Sequence, residues 1–73
     1  MKNKHGIEIE VGTVVVVPDP EENDIWTHSF QATVTDIIRN NLIVEDQDSD
    51  FFEVEADRIE EIVWTKKPLR WPN

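Results

Sequence analysis

The stretch from Phe30 to Glu55 constrains the fold more than any other part of the chain. It contains three short apolar runs separated by two polar segments, Arg39-Asn40-Asn41 and Asp46 to Ser49. β-Branched and aromatic residues fill the runs, and asparagine and aspartate fill the segments between them. Apolar runs of this length, broken by residues that favour turns, predict a three-stranded antiparallel meander. In the first run Phe30, Ala32 and Val34 share one face, and Gln31, Thr33 and Thr35 share the other. Continuing that alternation would turn Asp36 inward and leave Ile37 outside, so a bulge near Asp36 is expected. Asn40-Asn41 suits a tight hairpin, because asparagine tolerates positive φ. In the last run Phe52 and Val54 are expected to point inward, with Phe51, Glu53 and Glu55 outward.

The flanking segments extend this pattern. Thr13 to Val17 is almost wholly β-branched and predicts a strand buried on both faces or closed into a barrel. Pro18 and Pro20 end it, since proline cannot donate to a ladder. Asp19 to Thr27 then forms a long acidic loop, whose Ile25 and Trp26 are expected to fold back over one end of the core. Ala56 to Ile59 reads as a single helical or 3₁₀ turn, with Asp57 as its cap and Ile59 as a plug. Ile62-Val63-Trp64 is a short last strand expected to pair with the first and close the sheet, which would remove exposed edges.

Length and composition limit what such a fold can do. The chain has 73 residues and no cysteine, enough for one small core without a disulfide framework or a thiolate metal site. No run approaches the ~20 apolar residues of a membrane span, and no apolar signal stretch follows the basic start. These features give an expectation of a cytoplasmic protein that does not engage membranes. The net charge is −9, unevenly spread. Between His5 and Thr65 sixteen acidic side chains face only Arg39 and Arg58, a net of −14. Such a body repels phosphate backbones and attracts basic partners, unless the acids serve only to keep a small domain in solution.

The order strand, long loop, meander, 3₁₀ turn and short strand resembles an SH3-like barrel, most closely the Tudor-like branch. The resemblance rests on Val11-Gly12-Thr13-Val14-Val15-Val16, Phe30-Gln31-Ala32-Thr33-Val34, Leu42-Ile43-Val44-Glu45-Asp46 and Val54-Glu55-Ala56-Asp57-Arg58-Ile59, and spans about residues 11 to 64. It implies an all-β, five-stranded barrel over residues 11–65. Residues 1–10 would precede it as a flexible or partly extended arm, and residues 66–73 would follow as a basic tail containing proline and tryptophan. Tudor domains hold methylated lysine or arginine in an aromatic cage, and Phe30 falls at one cage position. The other third-strand and turn positions are Glu45 and Asp48. Trp26 from the loop and Phe51 from the neighbouring strand are the rings available to complete a cage. The alternative for Phe30 and Phe52 is closure of the core at the barrel ends.

Other chemistries fit less well. Asp46-Gln47-Asp48-Ser49-Asp50 has the alternating acids that open a calcium loop, but Phe51 stands where glycine is required and Asp57 where glutamate closes the loop. His28 and His5 have no third ligand in view, and no glycine-rich phosphate cradle is present. No cofactor is expected, and no convergent acid–base set suggests an enzyme. The expected function is a non-enzymatic module that engages a basic protein or peptide, without direct nucleic-acid binding. Its surface would comprise Trp26, Phe30 and Phe51, rimmed by Asp24, Glu45, Asp46 and Asp48. Two other readings remain: an acidic mimic that occupies a nucleic-acid-binding protein, and a structural accessory subunit attached through the tail. Oligomeric state is left open.

Overall fold

The longest strand sets the frame. In the computed structural model, which describes residues 1–65, β2 runs from Phe30 to Ile38 and carries the predicted bulge. Val34 pairs with Val44, but the next paired residue is Asp36, opposite Ile43, so Thr35 is the extra residue. Ala32 and Val34 are buried before the shift, and Thr35 and Ile37 turn inward after it. One inserted residue thus moves Ile37 onto the core face and leaves Asp36 in solvent. Local bonds absorb the disruption. Thr35 Oγ1 donates to the Ile43 carbonyl at 3.2 Å, and Asp36 Oδ1 accepts from the Ile37 N–H at 2.8 Å.

The remaining strands are β1 (Val14–Val17), β3 (Asn41–Glu45), β4 (Phe51–Glu55) and β5 (Ile62–Trp64), with a 3₁₀ turn at Ala56–Arg58. They form one antiparallel sheet in the order β4-β3-β2-β1-β5. The architecture is all-β and compatible with an SH3-like fold. β5 pairs with β1 as expected, but the sheet does not close, because β4 and β5 end the order. The 3₁₀ turn carries the chain directly from one edge to the other, and the three-residue β5 has little backbone to offer a further ladder. The expected burial of β1 on both faces is also corrected. Val15 and Val17 are buried while Val14 and Val16 are half-buried, because only one side of the sheet faces the core.

That core contains Ile9, Val15, Val17, Trp26, Ala32, Val34, Leu42, Val44, Val54, Ala56 and Ile59. Ile9 belongs to the segment expected to be an arm, and that segment is built into the fold. Ile9 N–H donates to the Met1 carbonyl, Lys2 bridges Glu8, and Gly6 turns the intervening loop at φ 81°. Asn3 is 6% exposed, and its Nδ2 donates to the carbonyls of Ala56 and Ile59, each at 2.8 Å. Asn3 thereby ties the N-terminal segment to the 3₁₀ turn, adding a second donor to the Ala56 carbonyl, which also accepts from the Ile59 N–H.

Two local expectations shift by a residue or a role. The β2–β3 hairpin turns through Arg39-Asn40, with Asn41 already in β3, and the positive φ of 58° falls on Arg39 rather than on asparagine. Asp57 makes no cap to its own turn. It accepts from the Lys4 N–H and from Asn40 Nδ2, linking the N-terminal segment to the hairpin. Ile59 is fully buried, as a plug should be. The tail at 66–73 lies outside the described residues.

Candidate functional site

Trp26 is the residue on which the site is built. It is 7% exposed, although it sits in the acidic loop between β1 and β2. Its indole Nε1 donates to the Pro18 carbonyl at 2.9 Å, so the proline that ends β1 also satisfies the buried indole. Ser29 Oγ donates to the Val17 carbonyl at 2.8 Å and fixes the far end of the loop. The neighbouring Ile25 does not fold back as expected and stays 77% exposed.

Trp26 meets Phe30, at the start of β2, and Phe52 in β4. The Trp26–Phe30 and Trp26–Phe52 centroids are 6.2 and 6.0 Å apart, with interplanar angles of 71° and 81°. Phe30 and Phe52 are 5.1 Å apart at 59°. Rings at such steep angles place the positive edge of one against the negative face of another. Beside them opens a cleft of about 520 Å³, bounded by these three residues, by Ile25 and His28 of the loop, and by Asp46 and Asp48 of the β3–β4 turn.

The candidate residues are therefore brought together in part. Trp26, Phe30, Asp46 and Asp48 line one cleft. Phe51 lies on the opposite face of β4, 56% exposed, and the ring in the cleft is its neighbour Phe52. Strand alternation predicted this separation, because adjacent residues cannot share a face. Glu45 borders an adjoining shallow groove of about 160 Å³ with Val14, Thr33 and Asp46. Asp24 is turned away and paired with Arg58.

That pairing was not visible in the sequence. Arg58 Nη1 and Nη2 donate to the two Asp24 carboxylate oxygens at 3.1 and 2.8 Å. The Arg58 Cζ atom also lies 5.3 Å from the Trp26 ring centroid, within cation–π range. The hydrogen bond from Arg58, followed by the Glu21 N–H, holds the Asp24 carboxyl below its ordinary pKa, against a smaller opposing effect of burial. The Asp24 hydrogen bond pushes Arg58 above its usual value, so both partners are ionised at neutral pH. Arg58 thus fastens the acidic loop to the 3₁₀ turn and supplies Trp26 with a cation from within the chain.

The opposite wall is organised locally. Asp46 Oδ1 accepts from the N–H groups of Asp48 and Asp50, both at 2.9 Å, and the turn closes with Asp46 N–H donating to the Asp50 carbonyl. Carboxylate oxygens of Asp46, Asp48 and Asp50 lie within 4.8 Å of one another. The backbone bonds to Asp46 account for this gathering as an aspartate-nucleated turn. Among the described residues no helix is long and apolar enough to cross a membrane. No family model, curated protein or solved structure matches the chain.

Proposed function

We propose that the protein is a non-enzymatic binding module that engages a basic segment of a protein partner in the cleft between the acidic loop and the β3–β4 turn. The observation that carries this reading is the juxtaposition of three aromatic side chains with Asp46 and Asp48 around one open cleft. The rings supply apolar contact area, and the carboxylates attract and orient a cation. The acidic body favours the same class of partner by raising its local concentration and its association rate.

The finer form of the proposal places the module in the Tudor-like branch and makes the bound group a methylated lysine or arginine. The steep angles among Trp26, Phe30 and Phe52 support it, since rings set at a corner can present more than one electron-rich face to an ammonium group. Arg58 already engages Trp26, so the external cation would depend chiefly on the phenylalanines and on the acid wall.

Titration of ¹⁵N-labelled protein with matched lysine-rich peptides, unmodified and trimethylated, tests both levels. Binding is expected to shift the Trp26 indole signal and the amides of Phe30, Asp46, Asp48 and Phe52, and to weaken as salt rises. A trimethyl peptide that binds more tightly supports the cage. Equal binding removes the cage and leaves the basic-peptide module. Unmoved signals with both peptides would sink the reading altogether.

A further inference from the structure

The sheet's outer face carries a second feature that the cleft does not use. Cross-strand partners in register share a face. Trp64 pairs with Val14, Val14 with Thr33, Thr33 with Glu45, and Glu45 with Phe51. These five residues form one continuous row across all five strands, on the side away from the core. With ~4.8 Å between neighbouring strands, the row is about 19 Å long. It ends in two exposed aromatic residues, Trp64 at 55% and Phe51 at 56%. None of the five described strands contains lysine or arginine, while Asp36, Glu45, Glu53 and Glu55 all project on this face, so the charges that these strands contribute to it are of one sign.

The shallow groove over Val14, Thr33 and Glu45 shares Gln31, Asp46 and Gln47 with the aromatic cleft. The two depressions therefore meet at a shoulder and form one track. The groove leads toward Val14, whose cross-strand partner is Trp64. Phe51 borders neither depression.

We infer that the occupant is an extended basic–apolar peptide longer than the cleft: its basic end sits at Trp26, Asp46 and Asp48, it crosses the Gln31–Gln47 shoulder, places a second basic residue at Glu45, and packs an apolar side chain against Val14 and Trp64. The inference rests on the cleft reading and extends it with a specificity subsite. An extended strand advances about 3.3 Å per residue, so the ~14 Å from Glu45 to Trp64, three strand spacings, takes about four to five residues beyond those seated in the cleft. Charge selects the class of partner, and the apolar contact at Trp64 discriminates within it, because a partly exposed tryptophan gains most when a partner covers it.

Three synthetic peptides test this. The first is a pentapeptide with three lysines. The second extends it by two glycines, one lysine and two leucines. The third replaces those leucines with serines. The leucine peptide is expected to bind about tenfold more tightly than the serine peptide, the scale of a single aromatic anchor. Trp64→Thr and, independently, Val14→Thr should abolish that advantage. Both leave a residue of high β propensity in the strand, and a retained amide spectrum verifies folding. Phe51→Ser should leave it intact. Asp46→Asn with Asp48→Asn should weaken all three peptides. Equal affinity for the leucine and serine peptides, with the pentapeptide still bound at the cleft, overturns the track and spares the cleft reading. Leucine-peptide binding that ignores the Asp46 and Asp48 substitutions overturns the shared occupant and the cleft reading together. No binding by any peptide overturns both.

Discussion

The two acidic walls of the cleft have similar composition and opposite construction. The loop between β1 and β2 is held by tertiary contacts: Arg58 grips Asp24, the Trp26 indole donates to Pro18, and Ser29 donates to Val17. The β3–β4 turn is held by its own backbone, folded around Asp46 Oδ1. A cation within the chain therefore satisfies the principal acid of the first wall. The acids of the second wall are engaged only by backbone N–H groups, and Asp48 makes no side-chain hydrogen bond among the described residues. What separates a structural carboxylate from one available to a ligand is whether a basic side chain reaches it. Only Arg39 and Arg58 lie in the acidic body, so few acids can be satisfied in this way.

The strongest test removes the cation. Arg58→Met keeps much of the aliphatic packing but deletes both hydrogen bonds to Asp24 and the charge at Trp26. Because the pair is partly solvated, Coulombic attraction contributes modestly. The bonds and the ring contact together suggest a loss of about 1–2 kcal/mol in unfolding free energy. Amide exchange should accelerate through residues 18 to 29 and remain unchanged in the β3–β4 turn. Equal acceleration in both walls would show that they are coupled, and the contrast would fail.

Asp46→Ala applies the converse perturbation. It strips the acceptor from two N–H groups that solvent can partly satisfy, so the expected loss is smaller, about 1 kcal/mol, and confined to the turn. The Trp26 indole proton should hold its chemical shift, because its acceptor is Pro18.

Acid provides a third comparison. The folded-state pKa of Asp24 is lowered from 3.8, so the stabilisation it confers is present above its unfolded value and is lost as pH falls through the lowered folded value. The stability difference between the native chain and Asp24→Asn should therefore be constant near neutrality and shrink on acidification below about pH 4. Denaturant melts at a series of pH values read it directly. A difference that persists at the acid end would mean that the carboxylate's charge is not what Arg58 recognises.

Much of the sheet was legible because period-two alternation and proline positions act over a few residues. The bulge could be foreseen because Asp36 and Ile37 would otherwise have sat on the wrong faces. Closure was not legible: pairing β4 with β5 depends on how a three-residue strand and a 3₁₀ turn meet in space, and no local pattern encodes that. The Asn3 anchor was hidden for a similar reason, since its acceptors lie more than fifty residues away. At the site, Trp26 stood out as a large apolar residue in an acidic loop. Asp24 could not be assigned a role without knowing that Arg58 faces it. Phe52, not Phe51, enters the cleft, an outcome contained in the alternation of β4 itself. Its predicted inward direction was the signal that could have placed it there.

The smallest expected effect isolates the second wall at the level of a single backbone angle. Ser49 closes the β3–β4 turn at φ 65°, and Arg39 turns the β2–β3 hairpin at φ 58°. A side chain in the left-handed region crowds its own carbonyl at a cost of roughly 1 kcal/mol, and glycine avoids it. Glycine also gains entropy in the unfolded chain, which offsets part of that relief. Ser49→Gly is therefore expected to stabilise the protein by about 0.5 kcal/mol, measured as a shift in the urea midpoint with unchanged slope. The Asp46 bonds do not involve the Ser49 side chain, so the acid wall should keep its shape and its affinity for a lysine-rich peptide. A stabilised variant that binds less well would mean that the strained serine sets the position of Asp48, and the second wall would then be tuned for its ligand rather than merely folded.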